Sequence, residues 1–162
     1  MFEIVAAHGI PYAATASIGY LNDFMRKVEH AASIRGTKYI HVMAPCPTGW
    51  GCGVDETVDI SKDIVDCGLW YLAEYEGGVV KLNRNPREFA SVEAYLRRQG
   101  RFKALTDEDV ASVVRRARRE MGGHAERLGV ARPNIGTSKM KGVVCSGALA
   151  FFIFYRIQKQ II

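Results

Sequence analysis

The stretch "KYIHVMAPCPTGWGCG", residues 38–53, decides how the rest of this chain is read. Its first half is an apolar run of strand length with apolar residues of both parities. An exposed sheet face would require alternation, so the run predicts a strand covered on both faces, as in a parallel sheet. Its second half places Cys46 between Pro45 and Pro47 and follows with Gly49, Gly51 and Gly53. That is a stiff turn, on which backbone conformation is restricted at four consecutive residues, Ala44 to Pro47.

Working back from this strand, Leu21, Phe24, Met25, Val28 and Ala32 recur at helical spacing. They predict a helix with Asn22 and Asp23 in its first turn, ended by Gly36. "PYAATAS" (11–17) reads as a short strand, and "EIVAAHG" (3–9) as a helix stopped by Gly9 and barred by Pro11. The order helix, strand, helix, strand predicts an α/β sheet with a right-handed crossover.

Working forward, "ETVDISKDIVDCG" (56–68) predicts a helix, and the two apolar runs around Glu76-Gly77-Gly78 predict a hairpin. "SVEAYLRRQG" (91–100) reads as a short helix. The best-punctuated helix is "TDEDVASVVRRARREMGG" (106–123), with a Thr106/Asp109 capping box and two glycines to close it. Residues 124–142 read as polar linker. Residues 143–155, "VVCSGALAFFIFY", are apolar but fall short of the roughly 20 residues a bilayer-spanning helix needs.

A length of 162 residues suits one modest core, and 48% hydrophobic with 24% charged residues is a globular composition. The net charge of +5 is unevenly shared: residues 1–81 carry 6 Lys/Arg and 10 Asp/Glu, and residues 82–162 carry 16 and 7. The "RRARRE" run (115–120) invites a nucleic-acid reading, but arginines toward a helix C-terminus also complement its dipole, and a solvated face explains them. No nucleic-acid partner is expected. The absence of a basic leader in "MFEIVAA" and the unevenly spaced Cys46, Cys52, Cys67 and Cys145 point to a reducing, cytoplasmic compartment.

For chemistry, Cys46 comes first, because functional groups of α/β sheets collect on loops beyond the carboxyl ends of strands. From spacing alone an inert thiol is the commoner reading. Cys52 could be a second ligand, yet C-x5-C is not a usual metal spacing. Cys67 and Cys145 read as packing, His41 as a packed histidine, His8 as a helix-end residue, and His30 and His124 as surface. Trp50 and Trp70 read as core or interface. No nucleotide-binding glycine motif, zinc motif or catalytic triad is present, so no catalytic residue is assigned.

Four blocks carry a resemblance: "AAHGIPYAATASIGYLNDFMRKV" (6–28), "GTKYIHVMAPCPTGW" (36–50), "ETVDISKDIVDCGLWYLAEYEGG" (56–78) and "YLRRQGRFKALTDEDV" (95–110). Together, over residues 2–120, they resemble the beta subunits of 2-oxoacid:ferredoxin oxidoreductases of the pyruvate (pyruvate synthase) type. The resemblance implies the last part of a thiamine-diphosphate-binding parallel-sheet domain (1–55), a helix/hairpin extension (56–123), and a linker and apolar tail outside it (124–162). It implies oxidative decarboxylation of pyruvate to acetyl-coenzyme A, with electrons passed through four-iron four-sulfur clusters to ferredoxin. Alpha, gamma and delta subunits are the implied partners, and thiamine diphosphate, Mg2+ and a cluster the implied cofactors. Cys46 matches the family's fourth ligand to the cluster nearest thiamine. The family's CxxC pair, its further cysteine and its GDG…N segment have no counterpart here, so the chain is expected to be inactive alone. A branched-chain or aryl 2-oxoacid enzyme, or a non-catalytic module of this fold, are the alternatives.

Overall fold

The computed structural model describes residues 1–127 apart from 85 and 87. The expected linker from residue 128 and the apolar run 143–155, with Cys145, lie outside the described residues.

Helix α1 (Phe2–Ala7) ends at His8, and Gly9 turns the chain with φ +68° into strand β1 (Tyr12–Ser17). A short 3-10 turn (Ile18–Tyr20) leads into α2 (Leu21–Ser33), which crosses to β2 (Lys38–Met43). β1 and β2 run parallel in the register Tyr12↔Lys38 to Ser17↔Met43. This is the expected parallel unit joined by a helical crossover.

The sheet then departs from an all-parallel plan. Strands β3 (Ala73–Glu76) and β4 (Val79–Leu82) form a hairpin through Gly77 and Gly78, both at positive φ, as a two-residue primed turn requires. β3 pairs antiparallel with β1, giving a mixed sheet in the order β2-β1-β3-β4. The predicted hairpin thus completes the same sheet as the predicted parallel strands. β1, central to it, is buried at all six positions.

Because β1 already has neighbours on both sides, β2 is left at the border. It is exposed at Lys38, half-buried from Tyr39 to Val42 and buried only at Met43. Both of its faces still meet apolar cover, Tyr39 and Met43 on one side and Ile40 on the other, as expected, but among the described residues its outer edge has no partner strand.

Helix α2 forms where the apolar spacing predicts it. That stripe lies on its exposed face: Leu21 is 59%, Met25 48% and Val28 39% exposed. Toward the sheet it turns Lys27 and Ala31 instead, about a quarter-turn round the helix. Lys27 tolerates full burial because its Nζ donates to the Thr15 carbonyl at 2.8 Å and meets Asp23, one turn back. Burial lowers the pKa of its ammonium.

Three apolar clusters hold the fold. Tyr12, Ala14 and Ala31 pack with Ile34 and Ile40. Phe2, Ala13 and Ala73 pack with Tyr39, Tyr71 and Tyr75. The largest cluster joins Met43 to three helices: α4 (Thr57–Asp66), α5 (Val92–Arg97) and α6 (Asp107–Arg127). Ile60, Ile64, Val65, Tyr95, Leu96 and Val110 are its centre. Ser91 caps α5 through the Ala94 N–H, and Thr106 and Asp109 exchange the expected capping-box bonds at the start of α6. α6 runs past Gly122 and Gly123 to Arg127 rather than ending there. Glycine costs about 1 kcal/mol relative to alanine but keeps its N–H, so it weakens a helix without stopping it. Among the described residues no helix is long and apolar enough to cross a membrane.

Candidate functional site

β2 ends at Met43, and the chain leaves the sheet through exposed Ala44 and buried Pro45. Cys46 follows in extended conformation (φ −100°, ψ 109°) as the N-cap of a one-turn helix, α3 (Pro47–Trp50). Pro47 at the first helical position costs no hydrogen bond, since that N–H would have no intrahelical acceptor. The turn is closed by the Trp50 N–H on the Cys46 carbonyl at 2.8 Å and the Cys52 N–H on the Pro47 carbonyl at 3.1 Å. The Cys46 thiol is exposed and makes no hydrogen bond within the described residues.

Gly51, at φ +64°, then meets a second loop, the 3-10 turn Gly100–Phe102 after α5. The Gly100 N–H donates to the Gly51 carbonyl at 2.9 Å. A Cβ on Gly100 would lie 2.7 Å from that oxygen, and one on Gly51 2.9 Å from the Gly100 Cα, so neither position admits a side chain. Beside this contact the Arg101 guanidinium lies 3.8 Å from the centre of the Trp50 ring and 4.5 Å from that of Phe102. Its Nε and Nη2 both donate to the fully buried Gln99 Oε1, at 3.0 and 2.7 Å, and Gln99 Nε2 donates to the Tyr95 carbonyl at 2.9 Å. Burial lowers the pKa of Arg101.

The other candidates fall away from this corner or into packing. Cys52 is half-buried against the main core. Cys67 is buried, and burial pushes its thiol up to about 12. His41 stands edge-on to Trp70 at 4.8 Å, and burial lowers its pKa. Trp70 is buried and donates from Nε1 to the Ala16 carbonyl at 3.0 Å. His8 is exposed, and His30 meets Glu76 at 2.8 Å. Arg115, Arg116, Arg118 and Arg119 are exposed along α6.

Sequence reasoning missed a second polar centre at the opposite end of β1. Glu74 takes hydrogen bonds from Tyr12 at 2.7 Å, from both Arg26 nitrogens at 3.1 and 2.9 Å, and from Asn83. Burial works to raise its pKa, but these donors outweigh it and hold the carboxyl at about 2. A cavity of about 310 Å³ opens here between Arg26, His30, Glu74, Glu76, Val79 and Lys81. The available signal was the parity of "AEYE", which puts Glu74 on the face opposite Ala73 and Tyr75.

Could the corner around Cys46 hold an iron–sulfur cluster by itself? Such a cluster needs several converging thiolates, and among the described residues no three His, Cys, Asp or Glu side chains converge to hold a metal. What the structure offers is one exposed thiol on a braced turn, which fits a single ligand to a group held jointly with other polypeptide.

Fold and site therefore define an α/β domain with one presented cysteine beyond the carboxyl end of a parallel strand. No family model matches the chain. It is 46% identical over 113 residues to pyruvate synthase subunit PorB of Methanocaldococcus jannaschii, covering 70% of this chain and 38% of that subunit. To ketoisovalerate oxidoreductase subunit VorB of Pyrococcus furiosus it is 45% identical over 115 residues, covering 70% and 37%. To PorB of Thermotoga maritima it is 42% identical over 127 residues, covering 78% and 39%. The chain belongs to the 2-oxoacid:ferredoxin oxidoreductase beta subunits that PorB and VorB represent. It spans a little over a third of their length.

Proposed function

We propose that this chain acts as part of the beta subunit of a pyruvate:ferredoxin oxidoreductase, and that Cys46 supplies one thiolate to its four-iron four-sulfur cluster. The observation that carries the reading is the placement of Cys46. It is an exposed, unbonded thiol on a turn braced from two sides, in a chain that is 46% identical to a PorB subunit over 113 of its residues.

In this reading the remaining cluster ligands, thiamine diphosphate and Mg2+ reside in the polypeptide that makes up the rest of the subunit. When bound, the cluster accepts and passes on electrons one at a time during oxidative decarboxylation of pyruvate. The chain's own contribution is to hold one ligand still. Pro45 and Pro47 restrict the backbone on either side of Cys46, α3 fixes its carbonyl, and the Gly51–Gly100 bond ties the turn to the core. The partners are other subunits of the oxidoreductase and ferredoxin, with coenzyme A taking the acetyl group.

A second reading has its own support, since VorB relatives match as well as PorB relatives do. A branched-chain 2-oxoacid would then replace pyruvate.

The test is reassembly. The chain would be co-produced with the segment of a PorB subunit that it does not span, together with the other subunits. Iron and electron paramagnetic resonance (EPR) would then be measured before and after Cys46→Ala. The expected result is a cluster signal that Cys46→Ala abolishes or renders oxygen-labile. An undiminished signal in Cys46→Ala would remove Cys46 from the ligand set. Co-purifying subunits without iron would favour a non-catalytic module. Oxidation rates across 2-oxoacids would separate the pyruvate reading from the branched-chain one.

A further inference from the structure

We propose that Arg101 is the positioning residue of the Cys46 turn, an inference that rests on the reading of Cys46 as a cluster ligand. A four-residue helix cannot hold itself, because it contains too few internal hydrogen bonds to offset its own ordering. Its position must be imposed from outside. The structure shows two such constraints. One is the Gly51–Gly100 backbone bond at the far end of the turn. The other is the Trp50 ring, which packs on the core and lies against the guanidinium of Arg101 at 3.8 Å. Trp50 is also the residue whose N–H closes the turn on the Cys46 carbonyl.

The guanidinium is itself oriented from the core. Its fork on Gln99 Oε1 and the Gln99 bond to the Tyr95 carbonyl form a fixed line from α5 to Arg101, to Trp50 and to Cys46. A planar, stacked, forked cation is needed, and lysine cannot reproduce that geometry. Arg101 differs from Arg26, Arg84, Arg97 and Arg98 in a second respect. Each of those pairs with a carboxylate, whereas Arg101 makes no ion pair among the described residues. Its charge is thus uncompensated beside the turn that would bring a thiolate-bound, anionic cluster.

The test uses the reassembled complex with Arg101→Lys and Arg101→Met, read by amide exchange, EPR and redox titration. Loss of the stack should speed exchange of the Trp50 amide about tenfold in both variants. Both should also change the cluster's EPR line shape. Only Arg101→Met, which removes the charge, should lower the cluster's midpoint potential, because a nearby cation favours the more negative, reduced state. Unchanged Trp50 exchange in both variants would overturn the positioning role. So would an EPR spectrum and potential identical to the parent's. Cys46→Ala, run alongside, separates the two ideas: a retained cluster there defeats the ligand reading, while Trp50 exchange still decides whether Arg101 holds the turn.

Discussion

At the scale of single residues, three described cysteines occupy three environments, and their chemistry should separate accordingly. Cys46 is exposed on its turn, Cys52 is half-buried beside Arg101, and Cys67 is closed within the core with its thiol pushed up to about 12. Thiolate is the reactive form, so access and pKa both disfavour Cys67. Timed alkylation of the whole chain with iodoacetamide, followed by peptide mass spectrometry, should label Cys46 first and Cys52 more slowly. Cys67 should be labelled only under denaturing conditions. Early labelling of Cys67 would show that the α4–α5 core opens in the native state. The glycine pair gives a sharper residue-level expectation. Gly100→Ala puts a methyl group 2.7 Å from the Gly51 carbonyl oxygen, so the two loops must separate. The substitution should cost about 1–3 kcal/mol in chemical denaturation.

At the scale of elements, the Glu74 centre ties α2 to the hairpin. Arg26 comes from α2, Tyr12 from β1, Glu74 from β3, and Asn83 follows β4. The carboxyl's pKa is depressed in the folded state, to about 2 from a model-compound 4.5. The unfolded chain therefore binds the proton more readily. The stabilisation is full above about pH 4.5 and is lost as pH falls through about 2. Its size is on the order of 3 kcal/mol, from the separation of those two pKa values. Urea midpoints measured between pH 6 and pH 2.5 should fall, and Glu74→Gln should flatten that dependence while lowering stability at pH 6. An equal slope in the variant would place the acid sensitivity elsewhere.

The same elements show what the sequence made legible. Glycine pairs, caps and apolar spacing placed α4, α5, the hairpin and the start of α6, because those signals act within a few residues. Apolar spacing does not mark the packed face of α2, where only Lys27 and Ala31 are buried. The side turned to the sheet includes Lys27, whose burial depends on Asp23 and on the Thr15 carbonyl, a partner contributed by another element. The border position of β2 was not legible, because it depends on which strands flank it, and β1 takes the hairpin on its far side. Cys46 was legible as a position, through its prolines and the strand before it. The Arg101 line that braces it was not, since Trp50 and Arg101 lie about fifty residues apart and meet only in the folded chain.

At the scale of the whole molecule, two features stand together. The outer edge of β2 has no partner strand among the described residues, and α2 presents Leu21, Met25 and Val28 to solvent along one side. Protective devices on the edge are few, since its only charged residue is Lys38 at the very start. An unpaired strand edge and an apolar helix face are each templates for association, and singly scattered apolar residues would not be. The relatives are also far longer than the matched segment, which spans 38% of PorB. Both features are of the kind that further polypeptide covers. The 162-residue chain alone should therefore sediment as oligomers or aggregates. Replacing Leu21, Met25 and Val28 together by Lys, Glu and Lys should shift it toward smaller species without lowering its thermal midpoint, because none of the three contributes to the buried clusters. Co-production with the remaining PorB segment should suppress association of the unaltered chain and protect the amides of residues 38–43 from exchange. A clean monomer of the unaltered chain with a single sharp thermal transition would show that edge and stripe are tolerated without cover.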